Sequence, residues 1–198
     1  MNFKELKSRL VASGWKFNRG DGTVDCRSFS KCIDGKLVEL HPRIRKESMN
    51  KISLVLFPSI STERFMQTRN FLLQIEEDYY PLVARSGVLA PPIEKGVPEE
   101  IFPELTEEIV DELLEESIAW AKYQSVDKAL AYYANLPTYC GGAAVEHLTA
   151  LILRKEKEKI LYYREIFSEA KKGKMRRFLP GITEDIMNRA VSLVMKEE

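Results

Sequence analysis

The spacing of hydrophobic residues changes period along this chain, and that change restricts the fold more than any motif does. Between Trp15 and His41 apolar side chains alternate with polar ones, the pattern of half-buried strands. Beyond Thr106 they recur three and four residues apart, the pattern of helices with one apolar face. A strand-rich stretch followed by a helix-rich one predicts an α+β protein: a small antiparallel sheet with flanking helices, then an all-helical array.

Turn and cap chemistry sets the boundaries. Phe3, Leu6, Leu10 and Val11 fall at helical spacing ahead of Gly14, which predicts a helix over residues 3–13. Gly20-Asp21-Gly22 separates candidate strands at 15–19 and 23–33, and Asp34-Gly35 leads into a third at 36–41. Pro42 and the basic Arg43, Arg45, Lys46 and Lys51 precede Ile52–Phe57, apolar on both faces and therefore the expected central strand, ended by Pro58. Ser61 or Thr62 opens a helix carrying Phe65, Arg69, Leu72, Leu73, Ile75 and Tyr79 to Pro81.

Residues 87–103 hold Pro91, Pro92, Gly96, Pro98 and Pro103, the chemistry of an extended connector. The organisation expected from this is a lobe over 1–90 with an antiparallel meander and a helical lobe over 104–198, packed as one unit. In the second lobe Thr106 caps a long helix that Ser125 restarts through Ala134. Further helices are expected near 143–155 and 157–171. The last is capped by Thr183 after Pro180-Gly181 and buries Ile186, Met187, Ala190, Leu193 and Val194.

Composition excludes several classes. With 198 residues the chain can bury about 70% of its unfolded surface and needs no disulfide or metal to fold. Thirty basic and thirty acidic residues leave no net charge, which argues against a molecule built to coat nucleic acid or an anionic membrane. No apolar run approaches the ~20 residues of a membrane span, and the charged N-terminus lacks the apolar core of a secretory signal. Cys26, Cys32 and Cys140 are spaced like neither a disulfide framework nor a zinc site. A cytoplasmic protein with free thiols and no cofactor is expected.

Charge is nonetheless segregated. From Glu99 to Asp127 there are ten acidic residues against Lys122 alone, and from Arg154 to Arg177 ten basic residues against four acidic. Carboxylates four apart on a helix, such as Glu108 and Glu112, repel by a few tenths of a kcal/mol, so the run needs compensation. It comes either from the basic segment of the same chain or from a cationic partner. The candidate partner-binding residues are Glu104, Glu108, Asp111, Glu112, Glu115 and Glu116.

Other constellations have bland alternatives. In Leu136-Pro137-Thr138-Tyr139-Cys140-Gly141-Gly142, followed by His147, a helix start would stabilise the thiolate of Cys140, but a helix opening near Gly142 carries His147 more than a turn away. Close helix packing at the glycines is the simpler reading. Cys26, Ser28, Ser30 and Cys32 share one strand face, a strip that a helix would cover, and with His41 they fall short of a metal site. Tyr132, Tyr133, Tyr139, Tyr162 and Tyr163 suit either a binding surface or a core. No phosphate loop, dinucleotide fingerprint, zinc helix or nucleophile elbow is present in the sequence.

The opening, from Leu6 through Gly14-Trp15-Lys16-Phe17-Asn18-Arg19, resembles the entry of small bacterial toxin-immunity proteins and related families over roughly the first 60 residues. That resemblance implies a stoichiometric inhibitor without cofactors. The expectation is therefore a non-enzymatic module that binds another protein, such as a cationic toxin, through its acidic helix. The alternatives are an enzyme built around Cys140 and His147, or a secretion or assembly chaperone.

Overall fold

A computed structural model describes residues 1–19, 27–47, 51–85, 100–139, 143–172 and 178–196. The chain is α+β: an antiparallel sheet with helices in its N-terminal part and a helical array in its C-terminal part. Two compact units divide it, one of residues 1–62 and 81–124, the other of 63–80 and 125–198. Each unit thus draws chain from both sides of the proline-rich stretch.

The first unit opens with α1 (Phe3–Ala12), whose start is sealed by a capping box between Asn2 and Glu5. Its end is a paired reversal: Gly14, at φ 83°, lets Gly14 N–H donate to Val11 and Trp15 N–H to Leu10. Strands β1 (Lys16–Arg19), β2 (Arg27–Ile33), β3 (Lys36–Lys46), β4 (Ile52–Ser61) and β5 (Val83–Ala84) follow in that order across the sheet, with β6 (Glu100–Phe102) also paired to β4. Asp34 and Gly35 both take positive φ, making the tight turn that sets Ile33 opposite Lys36. The expected turn at Gly20-Asp21-Gly22, and Cys26, lie outside the described residues.

Two prolines do not break strands as the sequence predicts. Pro42 sits within β3 opposite Leu56, beyond the last β2–β3 pair at Phe29 and Leu40, and the basic stretch is the rest of that strand. Pro58 sits within β4 opposite Leu40, and its carbonyl accepts from Arg85 N–H at 3.0 Å. Its missing donor faces the same side, toward Arg85 just past the end of β5, so the pairing there is carried by the Arg85 N–H alone. Register gathers Phe29, Val38, Leu40, Leu54, Leu56 and Ile60 on one face, each at most 2% exposed.

Phe3 of α1 meets Phe17 and Phe29 on that face. Helix α3 (Glu107–Tyr123) packs along β4, and Lys36 Nζ donates to the carbonyls of Ala121, Lys122 and Gln124 at its end. The helix starts at Glu107, where Thr106 takes the extended cap conformation and accepts from Ile109 N–H.

The second unit contains α2 (Glu63–Leu73), α4 (Val126–Ala134), α5 (Ala144–Leu153), α6 (Lys157–Lys172) and α7 (Glu184–Lys196). The expected run of α2 to Tyr79 stops six residues early, since Gln74 adopts φ 56° and Ile75 N–H turns back to Asn70. Helix α5 is buried nearly all round and packs against α2, α4, α6 and α7. Lys155, at φ 59°, ends it with the same reversal that Gly14 gives α1.

Candidate functional site

Helix α3 is two-sided because its apolar residues fall on one stripe. Val110, Leu114, Trp120 and Ala121 are buried, with Ser117 between them. The carboxylates are left on the remaining surface, where they divide into two tiers.

The inner tier is ion-paired within the same unit. Arg9, in the last turn of α1, makes a two-pronged contact with Asp111, its Nε donating to Oδ1 at 2.8 Å, while its Nη1 donates to Glu107. The Arg9 guanidinium holds the Asp111 carboxyl below the usual carboxylate range, and the two acids raise the pKa of Arg9 in return. Arg85 Nη2 donates to Glu116 Oε1 at 2.7 Å. Of the six acidic candidates, Asp111 and Glu116 are therefore already partnered.

The outer tier is Glu104, Glu108, Glu112 and Glu115, all exposed and ion-paired with no other described residue. Glu108 is held below the ordinary range by its own backbone N–H and by Thr106, the groups that cap the helix. Glu108, Glu112 and Glu115 stand at three- and four-residue spacing on α3 and so form one negative strip, while Glu104 precedes the helix.

Three residues of the basic segment pair with carboxylates of their own unit. Arg154 Nε donates to Glu156 Oε1 at 3.0 Å, Lys159 Nζ lies 3.7 Å from Glu156 Oε2, and Arg164 is 3.8 Å from Glu184. Lys174, Arg176 and Arg177 lie outside the described residues.

Cys140 also lies outside them. His147 is 2% exposed and has both ring nitrogens in use, Nδ1 against the Tyr133 carbonyl at 2.6 Å and Nε2 against the Tyr163 hydroxyl at 3.2 Å. A carbonyl can only accept, so Nδ1 carries the proton and Nε2 accepts from Tyr163. Burial lowers the pKa of the ring and raises that of the Tyr163 hydroxyl. The five tyrosines split by position: Tyr133 and Tyr163 are buried, Tyr132, Tyr139 and Tyr162 exposed.

On the sheet face opposite the apolar one, the small-residue strip carries a hydrogen-bonded chain. Asn18 Nδ2 donates to Ser30 Oγ at 3.0 Å, Ser28 donates to Glu39, and His41 Nε2 lies 3.3 Å from the other Glu39 oxygen. Cys32 is exposed, so the strip is open at that end. Among the described residues no group of three His, Cys, Asp or Glu side chains could hold a metal.

One constellation escapes a reading by motif. In the second unit Arg69 of α2 bonds Glu146 of α5 through Nε at 3.3 Å, pairs with Glu77, and lies 3.4 Å from the Tyr80 ring centre. Arg69 and Glu146 are 9% and 5% exposed. Burial, then Glu146, push the Tyr80 hydroxyl up to about 12. The available signal was a charge inside an apolar stripe: Arg69 between Phe65 and Leu72, and Glu146 before His147 and Leu148.

Fold and site define an α+β protein with a carboxylate-lined helix on its sheet unit and a buried Arg69–Glu146 pair in its helical unit. Among the described residues no helix is long and apolar enough to cross a membrane. The chain belongs to the family of unknown function DUF6990, whose model matches residues 2–195. No curated protein and no solved structure matches it.

Proposed function

We propose that this protein is a non-enzymatic binding module that docks a basic protein through α3, in the manner of an immunity-type inhibitor of a cationic toxin. The observation that carries this reading is the outer tier, Glu104, Glu108, Glu112 and Glu115, exposed and without an ionic partner among the described residues. Like charges held together at helical spacing are destabilising until a cation arrives, so part of the binding free energy is relief of that repulsion. The resemblance of the opening residues to toxin-immunity proteins supports the same class. So does His147, whose two ring nitrogens are committed to Tyr133 and Tyr163. Exposed free Cys32 fits action in a reducing cytoplasm.

The test is a pull-down from the source organism followed by binding kinetics with the captured partner. Reversing Glu108, Glu112 and Glu115 to Lys is expected to lower the association rate by about tenfold or more at low salt, with much less effect once salt screens the strip. Circular dichroism and thermal unfolding should stay near wild type, because these positions are exposed. A partner that is indifferent both to the reversal and to salt would remove α3 as the interface.

A further inference from the structure

The chain has two histidines, and they stand in opposite states. His147 has both ring nitrogens engaged inside the helical unit. His41 has one. Alternation along β3 sets Glu39, His41 and Arg43 on the same face of the sheet, two residues apart.

A carboxylate taken out of water is costly unless partnered, and Glu39 is 6% exposed. One of its oxygens accepts from the Ser28 hydroxyl, and the other lies 3.3 Å from His41 Nε2. A carboxylate accepts and does not donate, so this neighbour favours the ring tautomer protonated at Nε2. Nδ1 then keeps its lone pair, and among the described residues nothing bonds it. The side chain is 47% exposed, which leaves that lone pair open to reagents in solution. A buried acid that holds one nitrogen also balances the positive charge a ring gains when its other nitrogen attacks an electrophile.

A receiver for anionic oxygens stands beside it. Phe57 of β4 is the direct cross-strand neighbour of His41, and the Arg43 guanidinium lies over its ring at 4.9 Å. Side chains paired across strands start about 5 Å apart, so stacking on Phe57 brings Arg43 alongside the imidazole. Arg43 is exposed and ion-paired with no described carboxylate. Its fork of N–H donors suits the oxygens of a phosphoryl group.

We propose that His41 is a phosphoryl-accepting residue, whose Nδ1 takes a phosphoryl group from a small donor, an acyl phosphate or a phosphoramidate. The Nδ1 lone pair attacks phosphorus and forms an N–P bond. The bond from phosphorus to the donor's oxygen or nitrogen breaks, and that group leaves with the electron pair, as a carboxylate or as ammonia that takes a proton from water. The ring, now substituted at Nδ1 and protonated at Nε2, is cationic and is balanced by Glu39, while Arg43 faces the phosphoryl oxygens. The product places about two negative charges on this sheet face. The proposal is independent of the reading of α3.

The experiment incubates the folded full chain with phosphoramidate and, in parallel, with acetyl phosphate, and follows the product by phosphorus NMR and peptide mass spectrometry. One acid-labile phosphoryl group per chain is expected on His41, as the Nδ1 isomer, with none on His147. Labelling should be about tenfold faster than in an isolated peptide of residues 36–46, where the less hindered Nε2 competes. Glu39→Gln, which removes the positioning charge, should slow the reaction about tenfold and shift the product toward the Nε2 isomer, a change that a merely structural role would not produce. Arg43→Ala, at an exposed position, should slow it similarly without changing the isomer, and keeps the test open should Glu39→Gln fail to fold. Labelling no faster than in the peptide, a predominant Nε2 isomer in the wild type, or wild-type rate and isomer in the folded variants would overturn the proposal.

Discussion

The molecule solves one problem twice: an arginine held by two carboxylates appears in each unit, in opposite surroundings. Arg9 with Glu107 and Asp111 lies at the surface of the sheet unit, and Arg69 with Glu77 and Glu146 lies inside the helical unit. In water such a pair contributes little, because screening and side-chain entropy offset the attraction. In a dry interior the attraction is large but so is the loss of hydration, and removing one member strands the other. The surface cluster is therefore free to trade partners, while the buried one can only hold its unit together.

Removing the arginines separately tests that contrast most directly. Arg69→Ala leaves Glu146 buried without its cation and uncovers the Tyr80 ring, so urea unfolding should show a loss of about 3–5 kcal/mol. Arg9→Ala should move the unfolding midpoint far less, and that small change should shrink further in added salt. Equal losses from the two variants would break the comparison.

A smaller effect belongs to His147, which binds the two tyrosines from inside the helical unit. The unfolded chain takes up a proton at this ring below a pH of about 6.5, and the native state resists it because burial lowers the pKa. The unfolded state then binds more protons, so stability is constant above that pH and falls as the pH drops below it. His147→Gln should flatten this slope near pH 6 and cost about 1–3 kcal/mol at neutral pH, since Tyr133 and Tyr163 lose their partner. Thermal unfolding between pH 5 and pH 8 measures both.

The smallest change, with its sign reversed, is expected at Tyr133. Its hydroxyl is buried without a hydrogen-bond partner among the described residues, and burial together with Glu146 raises its pKa. Tyr133→Phe deletes an unsatisfied group, so it should be neutral or stabilise by up to about 1 kcal/mol. A clear destabilisation in chemical unfolding would mean that the hydroxyl has a role in the cluster around Glu146.

Much of this was legible in the residues themselves. Period and caps located nearly every helix, because an N-cap oxygen at Thr106, Ser125 or Thr183 and the left-handed Gly14 act over a single turn. The acidic run was equally plain, since helical spacing alone places Glu108, Glu112 and Glu115 on one side. What local rules misjudged were Pro42 and Pro58, whose tolerance depends on which neighbouring strand has already ended, and Gln74 and Lys155, which take a left-handed conformation that glycine would have announced.

The sequence by itself determined the class of fold and the segregation of charge, because both follow from periodicity and composition within short stretches. Only the tertiary structure decided which carboxylates are spoken for. Arg9 reaches Asp111 across 102 positions and Arg69 reaches Glu146 across 77, and no local pattern encodes such pairings. It also decided that α3 belongs with the sheet and α2 with the helices, since a helix's apolar stripe says that it packs but not against what.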